Sequence, residues 1–148
     1  MLVQFNGPSE VDVSQRVLVV EDDRATQQLL DAVLQRESIE CALAGDGREA
    51  LRLLREEQFD AILLDLLLPN VNGFEVLRDL KKNDRATLSR VIVMTAAAES
   101  TFRGCEELAD VHCVLRKPLD LEVLTSEIRS CLDGVETAAV NRWRGKVP

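Results

Sequence analysis

The chain has 148 residues, a formal net charge of −8, 46% hydrophobic and 30% charged residues, which suits one globular domain able to bury its own core. An acidic field of that sign argues against nucleic acid or an anionic membrane as the main partner. No run reaches the roughly 18 apolar residues of a membrane span, and the opening MLVQFNGPSEVDVSQ lacks the basic and apolar regions of a signal peptide.

Residues 1–14, with Asn6-Gly7-Pro8-Ser9, read as a flexible leader. Strand-like and helix-like segments then alternate. A first strand over about Val17 to Val20 runs into Glu21-Asp22-Asp23. A helix follows, with Leu29, Leu30, Val33 and Leu34 at helical spacing. Ile39, Cys41 and Leu43 alternate as in an edge or half-exposed strand. Asp46 and Glu49 look like a capping box opening a helix through Ala50, Leu51, Leu53 and Leu54. The run Ala61 to Leu64 ends at Asp65, and Pro69 and Gly73 punctuate the loop beyond it. Asn72 and Glu75 repeat the cap signal ahead of Phe74, Val76, Leu77 and Leu80. Val91 to Met94 runs into Thr95, and a weaker helix is expected over about Glu99 to Leu108. Cys113 to Leu115 runs through Arg116 into Lys117-Pro118. Asp120 caps a last helix ending before Gly134.

Five βα units predict an α/β fold: a doubly wound, five-stranded parallel sheet of flavodoxin-like (βα)5 type, strand order 2-1-3-4-5. The strand ends meet on one sheet edge, with the switch point between strands one and three. Glu21, Asp22 and Asp65 would meet there, joined by the Thr95 hydroxyl and the Lys117 amine. Three carboxylates in one crevice repel one another unless a cation intervenes, and Mg²⁺ prefers such oxygen ligands. Asp23 reads as a helix cap rather than a ligand. The four cysteines, Cys41, Cys105, Cys113 and Cys131, form no C-x-x-C pair. With His112 as the single histidine, a zinc site is not expected. The thiols read as reduced and mostly buried in a cytoplasmic protein, and His112 as a loop residue.

The segments VLVVEDD (17–23), AILLDLLLPNVNGFEVL (61–77), VIVMTA (91–96) and VLRKPLD (114–120) together resemble a response-regulator receiver domain, the phosphoacceptor half of two-component signalling. The spacings from Asp65 to Thr95 and from Thr95 to Lys117 agree with that family, and the resemblance covers about residues 15–133, leaving a tail over 134–148. It implies that Asp65 is the phosphoacceptor. It implies that Asp22 binds Mg²⁺, or another divalent cation such as Mn²⁺, directly, Glu21 through water, and that Asp65 and the backbone carbonyl of Leu67 complete the set. Thr95, the Ala96 N–H and Lys117 would hold the phosphoryl group, and Lys117-Pro118 would be cis. The implied partners are a sensor histidine kinase or phosphotransfer protein, and a downstream protein docking on the face of helix 4, strand 5 and helix 5. A homodimer is also open. The chain would catalyse only its own phosphorylation and dephosphorylation.

Some positions depart from the family. Val114 stands where many members carry an aromatic residue. Asn72-Gly73 replaces Asp-Gly, and Asp110-Val111 replaces Gly-Ala, so that loop is expected to differ in shape. Arg142, Trp143, Arg144 and Lys146 form a basic-aromatic group, either a frayed end or a partner-docking segment. The competing readings are a phosphorylation-independent pseudo-receiver acting as an interaction module, a haloacid-dehalogenase-like phosphatase, and an FMN-binding flavodoxin. The phosphatase would need an acid where Leu67 stands, and the flavodoxin a hydroxyl-rich loop after strand one.

Overall fold

A computed structural model describes residues 14–134 and the backbone of residues 143–144. The expected leader lies outside the described residues but for its last position. The elements are β1 (Arg16–Val20), α1 (Arg24–Arg36), β2 (Glu40–Ala44), α2 (Gly47–Glu56), β3 (Ala61–Asp65), α3 (Gly73–Asn83), β4 (Val91–Thr95), α4 (Glu99–Phe102), β5 (Cys113–Arg116), α5 (Leu121–Leu132) and β6 (Trp143–Arg144). The order in the sheet is β2-β1-β3-β4-β5-β6, and every pairing is parallel. The five expected strands thus stand in the expected order, 2-1-3-4-5. The sixth was not anticipated. Residues 143–144 pair with β5, so this part of the expected tail is not a frayed end.

The period of two along each strand splits the core in two. Leu18, Val20, Ile62, Leu64, Val91 and Val93 face one way, against Leu53, Val76, Leu77 and Leu80 of α2 and α3. Val17, Val19, Ala61, Leu63, Ile92 and Met94 face the other, against Leu30 and Leu34 of α1 and Leu124 and Ile128 of α5. With both faces covered, β3 and β4 are buried along their whole length, which is why they read as unbroken apolar runs. β2 is the half-exposed edge strand expected, but its burial does not follow the Ile39, Cys41, Leu43 alternation: Leu43 is exposed and Ala44 is buried.

The caps explain where the helices begin. Asp23 accepts from the Thr26 N–H, Asp120 from the Glu122 and Val123 N–H groups, and Asn72 with Glu75 forms a full capping box. The box expected at Asp46 is half formed: Asp46 accepts from the Glu49 N–H, but the Glu49 carboxylate pairs with Arg52 instead. Leu29, expected on the buried stripe of α1, is 44% exposed.

The fourth helix departs furthest from expectation. Only Glu99–Phe102 is α-helical. Arg103 is extended, Gly104 takes φ +87, and a 3-10 turn over Glu106–Ala109 follows. Ser100, Thr101 and Phe102 are weak helix formers, and a left-handed Gly ends a helix rather than continuing it. A second unexpected 3-10 turn, Arg85–Arg90, leads into β4. None of the four cysteines is in a disulfide; Cys113 and Cys131 are buried and Cys41 and Cys105 part-buried. Among the described residues no helix is long and apolar enough to cross a membrane.

Gly73 is where the fold and the site meet. A Cβ there would lie 2.4 Å from the Asp65 carbonyl oxygen and 2.5 Å from Leu66 Cα, so α3 can start this close to β3 only without a side chain. Gly73→Ala should therefore cost about 2 kcal/mol or more through overpacking. Gly45→Ala, where nothing lies within 4 Å, should stay within about 1 kcal/mol. Urea unfolding of both variants checks this, and equal losses would refute it.

Candidate functional site: an acid pocket at the sheet's carboxyl edge

β1 and β3 are hydrogen-bonded neighbours in register from Val17 opposite Ala61 to Val20 opposite Leu64. Glu21 and Asp65, the next residue of each chain, therefore emerge side by side. Glu21 is 1% exposed and Asp65 4% exposed. Asp22, the neighbour of Glu21, is exposed to solvent. Carboxylate oxygens of Glu21, Asp22 and Asp65 all lie within 4.8 Å of one another. The sequence-predicted acids thus converge, while Asp23 turns away to cap α1.

Lys117 reaches this cluster from the end of β5. Its Nζ donates to Glu21 Oε1 at 2.7 Å and to Asp65 Oδ2 at 3.1 Å. The backbone fixes its approach. The Lys117 N–H donates to the Thr95 carbonyl at 2.8 Å, and the Lys117-Pro118 bond is cis, as the resemblance implied. The other oxygens are also held. Asp65 Oδ1 accepts from the Leu67 N–H at 3.0 Å, and Glu21 Oε2 from the Asp23 N–H at 3.0 Å. Thr95 is fully buried at the end of β4, and its Oγ1 accepts from the Ala97 N–H at 2.9 Å. Ala96 lies exposed between them.

The pocket is short of positive charge. Burial pushes the Glu21 carboxyl above its ordinary range, against the opposing pull of Lys117 and the Asp23 N–H. Burial pulls the Lys117 ammonium down, but Glu21 and Asp65 outweigh it and hold its pKa above the ordinary value. Both shifts favour bound protons. One ammonium shared by two buried carboxylates leaves a net negative pocket beside a third acid. Hard oxygen donors with unbalanced negative charge fit a small divalent cation such as Mg²⁺.

Sequence reasoning missed the clamp that shapes the loop after β3. Asn70, at φ +62, donates from Nδ2 to Asp46 Oδ2 at 2.9 Å. A Cβ on Gly47 would lie 1.9 Å from the Val71 carbonyl oxygen. The start of α2 thus holds the loop that carries Leu67. Asp46-Gly47 is a visible sequence signal, but nothing local ties it to residues 70–71. Gln27 was missed as well; its side-chain amide donates to the Glu21 carbonyl.

His112 lies in the loop just before β5, as expected, but it is not a solvated loop residue. It is 5% exposed, its N–H donates to the Val91 carbonyl at 2.8 Å, and its Nε2 lies 3.1 Å from Glu127 Oε1 on α5. Cys113 adds a thiol, so His112, Cys113 and Glu127 offer ligand atoms within 4.8 Å of one another. The absence of a C-x-x-C pair gave no signal of this grouping. Glu127 is 15 residues away, and only the packing of α5 brings it in. The short His112–Glu127 contact lets two buried polar groups satisfy each other.

The family model for the response regulator receiver domain matches residues 17–129. The chain belongs to that family. This receiver is 36% identical over 118 residues to the transcriptional regulatory protein AfsQ1 of Streptomyces coelicolor, a match covering 78% of the chain and 50% of AfsQ1. It thus spans about half the length of the curated relatives it matches. Among solved structures, a CheY-like receiver domain protein from Methanospirillum hungatei superposes with a TM-score of 0.74 at 26% identity, covering 82% of this chain and 96% of that one. The receiver domain of sensor histidine kinase PA1611 from Pseudomonas aeruginosa superposes with a TM-score of 0.73 at 26% identity, covering 82% and 99%. That structure holds a magnesium ion coordinated in its active-site cleft.

Removing Lys117 tests the charge balance. Lys117→Met leaves two buried carboxylates without their shared cation. The expected loss at neutral pH is about 2–3 kcal/mol, below the value for a fully buried pair because the lysine side chain keeps 22% exposure. Burial already holds the Glu21 carboxyl above its ordinary range, and the variant removes the opposing pull of Lys117. The loss is then full above the folded Glu21 pKa and shrinks as pH falls towards the ordinary carboxylate range. Urea unfolding across that range checks this; a loss that does not vary with pH would reject it.

Proposed function

We propose that Asp65 accepts a phosphoryl group from a sensor histidine kinase or a phosphotransfer protein, in a step that needs Mg²⁺ or a similar divalent cation such as Mn²⁺. The observation that carries this reading is the buried Asp65 carboxylate, 3.1 Å from the Lys117 ammonium and grouped with Glu21 and Asp22. An oxygen of Asp65 attacks phosphorus, the bond from phosphorus to the donor histidine nitrogen breaks, and an acyl phosphate forms. Glu21, Asp22, Asp65 and the Leu67 carbonyl would hold the cation, which supplies positive charge to the transferring phosphoryl oxygens.

The protein's own groups do the rest. Lys117 already bridges Glu21 and Asp65 and needs only a small displacement to pair with a phosphoryl oxygen. The Leu67 N–H fixes one Asp65 oxygen and so orients the carboxylate. The Thr95 hydroxyl donates to the phosphoryl group, with the Ala96 N–H beside it. Because Thr95 Oγ1 accepts from the Ala97 N–H, its movement draws the start of the following loop along. Later hydrolysis by water returns Asp65 to its first state, so the only reaction catalysed is on the protein itself. The modified receiver then binds a downstream protein or passes the group on, and the reading carries with it a cytoplasmic location. The full set Glu21, Asp22, Asp65, Thr95 and Lys117 does not favour a pseudo-receiver.

Acetyl phosphate with Mg²⁺ should add one phosphoryl group to the wild type and none to Asp65→Asn, read by intact mass. Labelling that persists in the variant would sink the assignment.

The neighbouring acids separate by role. Asp22→Ala should weaken Mg²⁺ binding at least tenfold in a titration. Asp23→Ala should leave binding nearly unchanged and lower the unfolding midpoint, because it removes the α1 cap. The opposite order would mean that the ligand has been misassigned.

A further inference from the structure

β5 would be the edge of a five-stranded sheet, with one row of backbone N–H and C=O groups unpaired. Here that edge is taken. Residues 143–144 run parallel to β5, with Val114 in register with Trp143 and Leu115 with Arg144. We propose that the outer edge of β5 is a strand-docking surface whose occupant is this chain's own 143–144 segment, and that its occupancy is coupled to the acid pocket. The coupling rests on the phosphoacceptor reading of Asp65; the docking does not.

The connection runs along backbone already described. The paired residues Val114 and Leu115 lie three and two positions before Lys117. On its inner side β5 is in register with β4, Thr95 opposite Arg116, and the Lys117 N–H is bonded to the Thr95 carbonyl. A displacement of Thr95 or Lys117 towards a group on Asp65 therefore moves the same short strand that holds residues 143–144. A groove of about 400 Å³ lined by Leu115, Lys117, Pro118, Leu119 and Val123 lies where β5 turns into α5, so β5 is loosely backed next to Lys117. A two-residue ladder opens at little cost compared with the sheet interior. It is weak enough to respond to a ligand, and it makes backbone bonds that specify register.

The sign follows from the geometry. Pairing is present in the arrangement where Lys117 bridges Glu21 and Asp65. A phosphoryl group that draws Lys117 away weakens the pairing, and by reciprocity loss of pairing strengthens phosphoryl-mimic binding.

The full chain tests this directly, because residue 143 is its single tryptophan. Mg²⁺ with beryllofluoride, a phosphoryl mimic, should change the tryptophan emission of the wild type and not of Asp65→Asn. The Lys117 N–H faces β4, so by alternation Val114 turns its backbone groups outward, and its carbonyl meets the N–H of residue 144. Arg144→Pro removes that N–H. It should speed amide exchange over residues 113–116 and tighten beryllofluoride binding at least fivefold, read by fluorine NMR. Trp143→Phe keeps the backbone and should match the wild type in both. Unchanged exchange over 113–116 in Arg144→Pro would overturn the docking. Silent tryptophan emission, or unchanged affinity, while exchange at residues 95–97 reports bound beryllofluoride would overturn the coupling. If beryllofluoride failed to bind at all, the phosphoacceptor reading and the coupling would fall together, and exchange over 113–116 would still decide the docking.

Discussion

Three carboxylates at one end of a sheet, with one lysine between them, are the arrangement on which the rest of this structure depends. Glu21 and Asp65 are buried almost completely, a position acids avoid unless paired. What makes it tolerable is a set of fixed donors: the Lys117 ammonium on both, the Leu67 N–H on Asp65 and the Asp23 N–H on Glu21. Each comes from a different stretch of chain, so the pocket exists only when β1, β3 and β5 stand at their proper distances. Charge is still not balanced, because one ammonium faces two buried carboxylates beside a third acid, and burial also pushes the Glu21 carboxyl above its ordinary range. The pocket is held ready for further positive charge, and the fold supplies the stability that holds it there.

That stability comes from a core divided by the sheet. Alternate residues of β1, β3 and β4 feed two apolar layers, so none of these strands can slip by one residue without exchanging its layers. Register fixed in this way places the residue after each strand at the same level. Gly73 carries the constraint into the loop, since α3 must start against the Asp65 backbone. Gly47 does the same from α2, through Val71. The loop bearing Leu67 is thus confined from two sides, which is how an irregular segment can present a backbone group in a defined place.

Most of this was legible in the sequence because the signals are local. Apolar runs of three or four residues leading into Glu21, Asp65, Thr95 and, through Arg116, Lys117 mark strands and site together, and Asp23, Asn72 and Asp120 mark helix starts. What escaped depends on contacts between distant segments or on weak propensity. Nothing near His112 announces Glu127, and nothing near Asn70 announces Asp46. The fourth helix was overextended because apolar spacing through Leu108 suggests a helix, whereas Gly104 at positive φ breaks it. Leu29 sits beside the stripe that Leu30, Val33 and Leu34 define, and spacing alone does not separate the two. The pairing of residues 143–144 was hidden because a two-residue strand has no periodicity to read.

The short fourth helix and the occupied β5 edge bear on the same side of the molecule. Where α4 lasts one turn, the segment from Ala98 to Asp110 is held by few regular backbone bonds, and its second half is tied by ion pairs: Lys81 with Glu106 and Arg85 with Asp110. Exposed ion pairs of this kind contribute little, so this segment lies at the low-stability end of the fold, where conformational response is drawn from. Val114 is a small, buried side chain facing the same layer. It cannot swing between inside and outside as a large ring can. On the proposed phosphoacceptor reading, a signal leaving the acid pocket would therefore be carried by backbone: through Thr95 into the loop beyond β4, and along β5 from Lys117 to Val114. Those two routes share the bond between the Lys117 N–H and the Thr95 carbonyl, the point at which, on that reading, chemistry at Asp65 would become a change of shape.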